Sequence, residues 1–375
     1  MMTTDSIGLY VHIPFCLKKC RYCDFSSFSS VDAETRTKYL CALVSEIRSY
    51  KKKGKNKINT IFFGGGTPSL LSPSELSLLM EAIFESFSLD PDSEISMEIN
   101  PGTVTRDKLS RFSSLGINRI SIGLQSINDN ELKLLGRIHN SSDFLDAYRS
   151  VRSVGISNVS VDVMYGIPDQ THESFMHTLS SVCDLEPEHI SVYGLIIEEG
   201  TDFFRRFDTL TLPSEDAECD MYYYAAEKLR FLGYEHYEIS NYSKPGFECK
   251  HNLKYWHADD YIGVGLAAHS KLSGVRFFNP STFKEYFALK QGEYILEERL
   301  DSESERYEYA MMNLRLSSGF SLSEYQNKFG ISFLDGREEA IRNFQKADLM
   351  IFSDDRISLT ERGFYVSNTI LSQLL

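Results

Sequence analysis

Nowhere in the 375 residues do apolar side chains run on for the roughly 18 positions that a membrane-spanning helix requires. That argues against an integral helical membrane protein. A positive charge balance is missing too: 39 Lys and Arg against 53 Asp and Glu leave a net charge of −14. Neither nucleic acid nor an anionic lipid surface rewards that sign, so nucleic acid is not an expected partner and membrane contact is expected to be peripheral at most. The opening residues, MMTTDSIG, lack a basic segment followed by an apolar one, and a cytoplasmic protein is expected. Seven cysteines, three of them in one tight group, do not form the pattern of a disulfide framework and fit a reducing compartment. No internal repeat or low-complexity segment is present.

What is present centres on GLYVHIPFCLKKCRYCDF, Gly8 to Phe25, where an apolar, strand-like run leads into Cys16, Cys20 and Cys23. Thiolates so closely spaced can converge on one metal centre without long-range folding. Three are one short of the four that a closed zinc site or a fully ligated cluster takes, so the set suits a cubane iron–sulfur cluster with one open iron. Zinc with a distant fourth ligand and three unrelated buried thiols are the alternatives. Lys18, Lys19 and Arg21 bring positive charge that would lower thiolate pKa values. Cys41 and Cys183 lie in helix-patterned stretches and read as buried small apolar residues, whereas Cys249 is two residues before His251 and remains a candidate ligand.

Downstream, strand and helix patterns alternate. Strands are expected at Ile7 to Ile13, Thr60 to Phe63, Glu94 to Ile99, Arg119 to Gly123, Asn158 to Tyr165 and His189 to Leu195, with helices at 33–50, 72–84, 105–115, 128–154 and 172–185. Ser72, Pro73 and Glu75 predict a capped helix start, and Gly54 a helix end within the basic run 51–57. This order implies parallel strands with right-handed crossovers. Six units are too few for a closed eight-unit barrel, so the fold class is α/β, an open partial barrel with its site at the C-terminal strand ends. Residues 1–200 form that core, 201–300 a sheet extension and lid, and 301–375 a winged-helix-like α+β domain with a hairpin turn at Ser353 to Arg356 and one final helix from about Glu361. Eight Lys and Arg against twelve Asp and Glu in 301–375 argue against DNA binding there.

The three-cysteine spacing resembles the radical S-adenosylmethionine (SAM) superfamily, in which SAM chelates the open iron of a [4Fe-4S] cluster. FFGGGTPSLL at 62–71, VDVMYGIPDQT at 161–171 and HNLKYW at 251–256 narrow the resemblance to the branch of oxygen-independent coproporphyrinogen III oxidase and HemW-like heme chaperones, over nearly the whole chain. The resemblance implies SAM contacts at Tyr10, Gly65, Glu98 and Ile196. It matches Tyr22, Gly66, Thr67, Gln125, Arg137 and Asp162 to positions that hold a second SAM in the oxidase.

The residues have readings of their own. Gly64 to Gly66 is not a dinucleotide fingerprint, because Ser69 stands where a third glycine is needed. It reads as a tight turn or as backbone open to a ligand's ammonium group. Glu98 can accept from ribose hydroxyls. Asp162, an acid inside an apolar strand, needs a partner, for which Arg137 is the candidate. Tyr22 can stack on adenine or pack against the cluster. His251, near Cys249, Tyr242, Tyr255 and Trp256, is a candidate heme ligand, with His236, His257 and His269 as rivals.

Two departures set the chain apart from the oxidase: Phe25 stands where the oxidase has a further cysteine, and the cluster strand begins by Ile7 without the oxidase's N-terminal extension. The expected function is therefore heme carriage to an acceptor protein, with SAM acting on transfer or on oligomeric state and a homodimer left open. The alternative is an enzyme that cleaves SAM reductively to decarboxylate coproporphyrinogen III.

Overall fold

Six strands repeat one binary pattern, and that pattern makes both the core and the site. The computed structural model describes residues 6–53, 56–290 and 293–375. On β1 (Ile7–Ile13) Leu9, Val11 and Ile13 are buried on one face. Ile61 and Phe63 do the same on β2 (Lys57–Gly65), and Ile95, Met97 and Ile99 on β3 (Ser88–Ile99). They are followed by Ile120, Ile122 and Leu124 on β4 (Arg119–Gln125), Val159, Val161 and Val163 on β5 (Asn158–Tyr165), and Ile190 and Val192 on β6 (His189–Gly194). Side chains alternate across a strand, so these residues share one face and pack beneath the helices that follow each strand. At about 1.5–3 kcal/mol for each fully buried aliphatic or aromatic side chain, this layer is the main source of stability. The opposite face is polar: Phe62, Glu98, Arg119, Ser121, Asp162, Met164, His189, Ser191 and Tyr193 line one cavity. A sheet whose alternate residues from β2 through β6 meet around one space is curved into a trough.

β1 to β6 pair in parallel in that order. They occupy the middle of a 12-stranded sheet. Beyond β1 the sheet continues with Tyr261–Val264, which is also parallel, then antiparallel His269–Leu272, Val275–Phe278 and Ile295–Arg299. Beyond β6 lie Asn241–Ser243 and Glu235–Glu238. The trough is thus an open partial barrel with an extended rim on each side. Within the sheet extension expected over 201–300, YIGVGLAAHSKL at 261–272 forms two strands, because Gly265 (φ 96) and Ala267 (φ 58) turn the chain between them.

The helix starts follow their caps. Asp32 caps Ala33–Ser49, and Ser72 with Glu75 forms a complete capping box on Pro73–Ser86. A second box, Asn140 with Asp143, opens Ser141–Ser153, and the stretch 128–154 is split because Gly136 adopts a left-handed C-cap (φ 80) after Asp129–Leu135. Lys51 to Lys53 form a short 3-10 turn, and Gly54, the expected helix end, lies outside the described residues. Cys183 is buried as expected, but Cys41 is exposed on the outer side of its helix.

From Ser302 on, helices surround the hairpin Met350–Ser353 with Arg356–Leu359, joined by Phe320–Ser321. A separate apolar cluster that includes Phe320, Phe333, Ile357 and Leu359 fills this unit. The final helix breaks at Val366 (φ −108) into Glu361–Tyr365 and Ser367–Leu374. Glu361 ties the unit to the barrel, taking Arg230 at 2.7 Å, the Tyr222 hydroxyl at 2.9 Å and His236 Nδ1 at 2.9 Å.

Candidate functional site

The strand ends deliver the site. Cys16, Cys20 and Cys23 lie on the loop after β1, Gly65 to Thr67 at the end of β2, Glu98 and Asn100 at the end of β3, Gln125 closing β4, and Leu195 and Ile196 after β6. All of them, together with Tyr22, Phe25, Arg137 and Asp162, line a cavity of about 620 Å³. Of the expected set, only Tyr10 and His251 stand apart from the lining.

Tyr10 works one layer beneath. Its hydroxyl lies 3.0 Å from His12 Nδ1, and His12 Nε2 lies 2.9 Å from the Ser26 carbonyl. A carbonyl only accepts, so Nε2 carries the proton and Nδ1 accepts from Tyr10. This relay anchors the far end of the cysteine loop to the barrel wall. The near end is held by the glycines: Gly66 N donates to the Ile13 carbonyl at 2.9 Å, and a Cβ there would stand 2.8 Å from the Phe15 carbonyl oxygen. At Gly65 (φ 111) a Cβ would meet the His12 ring at 2.5 Å. The glycine run is therefore required by the close crossing of the cysteine strand, whatever it binds.

Two donors face the sulfurs. Thr67 Oγ1 lies 3.6 Å from Cys16 Sγ, and Arg137 Nη1 lies 3.7 Å from Cys20 Sγ. Arg137 also donates to Asn100 Oδ1 and the Gly123 carbonyl, each at 2.6 Å. The expected Arg137–Asp162 ion pair is not formed. Asp162 instead accepts from the Ser121 hydroxyl at 2.9 Å, and burial pushes its carboxyl up. The cations flanking the cysteines are also less involved than their positions imply. Lys19 reaches the Phe25 carbonyl and Arg21 the Leu134 carbonyl. Burial raises the Cys23 thiol, which Lys19 still lowers, while Arg137, over a hundred residues downstream, supplies the charge at Cys20. Among the described residues no three His, Cys, Asp or Glu side chains converge as a single ion requires.

Glu98 Oε2 accepts from Gly65 N at 3.2 Å, and burial, then the nearby Asp162, push its carboxyl up to about 8. A carboxyl raised in the folded state contributes stability that is fully present below its ordinary value and lost as pH rises through 8. Glu98→Gln is expected to flatten the alkaline limb of the melting profile between pH 6 and 9. Identical slopes for the two proteins would contradict this.

HNLKYW forms the helix Lys250–Trp256, which closes the floor of the trough. Glu94 caps it, accepting from Lys250 N at 3.0 Å and His251 N at 3.2 Å, while Lys254 Nζ reaches the Ser6 carbonyl at 3.0 Å. His251 is buried; its Nδ1 pairs with Thr60 Oγ1 and its Nε2 with the Tyr255 hydroxyl, both at 2.9 Å. Neither nitrogen is free for a heme iron in this geometry. Cys249, also buried, points at Glu94 (3.6 Å). Of the rival histidines, His236 is held by Glu361, while His257 and His269 are exposed, His269 lying 3.4 Å from Glu297.

Reading the sequence missed Arg119, Ser121, His189, Ser191, Tyr193 and Asn252 in the lining. The period-two alternation of polar residues along β4 to β6 was the available signal. Gln125, by contrast, was expected, and it holds a left-handed backbone (φ 74) while accepting from the Tyr193 hydroxyl at 2.7 Å. Such strain persists where surrounding structure imposes it.

Comparison with known proteins places this arrangement. The radical SAM superfamily profile matches residues 10–182 and the HemN C-terminal domain profile residues 300–366. A protein of Lactococcus lactis described as heme chaperone HemW is 35% identical, the match covering 98% of this chain and 96% of the relative. Its namesake in Bacillus subtilis is 34% identical, with 98% of each chain covered. Among solved structures, coproporphyrinogen III oxidase (HemN) from Escherichia coli superposes with a TM-score of 0.85 at 24% identity, covering 99% of this chain and 90% of that one. That likeness establishes the fold, and the full-length sequence matches go further: the chain belongs to the HemW heme chaperone family within the radical SAM superfamily.

Proposed function

We propose that the chain binds heme and hands it to an acceptor protein, with a [4Fe-4S] cluster on Cys16, Cys20 and Cys23 and SAM in the trough beside it. The observation that carries this reading is the end-to-end likeness to heme chaperones, at 35% identity over 98% of the chain. The residues fit the implied groups. Three thiols line the cavity, Thr67 and Arg137 donate toward two of the sulfurs, and Glu98 offers a carboxyl group at the strand end. A cluster with SAM on its open iron supplies one-electron reductive chemistry when loaded. The chain's own residues position and insulate: Arg137 offsets anionic charge at Cys20, Tyr22 and Met164 give the cavity apolar wall, and Ile196, 69% exposed, sits at its mouth. Phe25, 66% exposed beside the cysteines, occupies the position where the oxidase-like pattern has a further cysteine.

Heme titration into the anaerobically reconstituted protein tests the reading. A saturable Soret band at fixed stoichiometry is expected, and linear, non-saturating absorbance would overturn it. No helix among the described residues is long and apolar enough to cross a membrane.

A further inference from the structure

One buried cation in the trough has no hydrogen-bond partner. Arg119, on the inner face of β4, is 2% exposed and lines the cavity. Its Nε has no hydrogen-bond partner, and among the described residues the guanidinium forms no ion pair or hydrogen bond. The nearby acids are committed elsewhere: Glu94 caps the floor helix through Lys250 and His251, and Asp162 accepts from Ser121. His189, next along the wall, is saturated by Ser160 and the Tyr237 hydroxyl, both at 2.8 Å. Arg137, in the same cavity, is by contrast fully occupied by Cys20, Asn100 and Gly123.

Glu94, Asp162 and Glu98 lie near enough to keep the guanidinium charged, but none of them bonds it, and buried donors left without an acceptor are costly, so the fold leaves a place there for an acceptor from outside the chain. The planar five-donor fork of arginine matches a carboxylate in bidentate geometry. Asn252, presented by the floor helix, lines the same space. We infer that Arg119 receives a carboxylate of the ligand that enters the trough.

This rests on the function proposed above, and that function brings two carboxylate sources: a propionate of heme and the methionine carboxylate of a SAM molecule. Esters separate them. Dissociation constants are measured on the full, reconstituted chain for heme and heme dimethyl ester, and for SAM and its carboxyl methyl ester, in wild type, Arg119→Met and Arg119→Lys. In wild type, one acid is expected to bind at least about tenfold more tightly than its ester. Arg119→Met should shrink that preference at least about tenfold while leaving ester affinity unchanged, whatever the open iron contributes to SAM binding in all three proteins, and Arg119→Lys should retain part of the difference. The pair showing this pattern identifies the source. Wild type that binds acid and ester equally in both pairs would overturn the inference and leave heme carriage standing, as would preferences that Arg119→Met leaves undiminished in both pairs. Wild type that binds neither heme nor SAM would overturn the parent reading together with this one. Should Arg119→Met fail to fold, the wild-type ester preference and its reduction in Arg119→Lys decide the matter, and an unreduced preference would count against Arg119.

Discussion

Alanine at Cys16, Cys20 or Cys23 is expected to strip the anaerobically reconstituted protein of cluster iron and sulfide, whereas alanine at Cys41 leaves both in place. The three thiols share one loop, fixed at one end by the Tyr10–His12–Ser26 relay and at the other by the crossing over Gly66. In the proposed cluster, with one iron left for an exogenous ligand, loss of a thiolate would leave a second iron without a protein ligand. Cys41 is exposed on the helix Ala33–Ser49 and does not line the cavity. Iron and sulfide analysis with visible absorbance checks the prediction. Full retention in any of the three loop variants would contradict the site, and loss in Cys41→Ala would show that the assay reports folding instead.

The second large effect is expected from His251→Ala, and it falls on stability. The ring is buried, stacks on Phe62 with centroids 5.2 Å apart, and satisfies two hydroxyls whose partners the substitution removes. A cavity plus two unpaired buried hydroxyls costs about 2–5 kcal/mol, enough to lower Tm by several degrees in a chain of this size. Burial, then the cations Lys254 and Arg119, lower its pKa to about 3. A histidine lowered in this way contributes stability present above its ordinary value of roughly 6.5 and lost as pH falls toward 3. The variant should therefore lose part of the acid-side slope as well. The heme spectrum should be unchanged. A shifted Soret band with Tm preserved would instead make His251 a heme ligand.

Much of the fold could be read from the chain because its strands alternate so regularly. The six parallel strands, the capping box at Ser72 and the cysteine loop all rest on local signals. What local pattern misses is long-range pairing. The helix Lys250–Trp256 is seven residues with a cysteine at its N-cap and no side-chain cap bond, and its capping comes from Glu94, more than 150 residues away. HNLKYW therefore looked like a ligand cluster when it forms the floor of the barrel. Arg137 shows the same limit. Its charge compensation goes to Cys20, a contact between distant loops, while the acid inside β5 that seemed to call for it is served by Ser121 next door. Polar residues on β3 to β6, read singly, resemble flaws in apolar strands; only the curvature of the sheet turns them into one lining.

Whether this radical SAM barrel carries heme without consuming a porphyrin substrate is decided by one assay. The reconstituted full-length protein is supplied with SAM, a low-potential reductant and coproporphyrinogen III under strict anaerobiosis, and in parallel with heme. The account predicts stoichiometric heme uptake, heme recovered chemically unchanged, and no protoporphyrinogen IX. Protoporphyrinogen IX accumulating over many turnovers would contradict it.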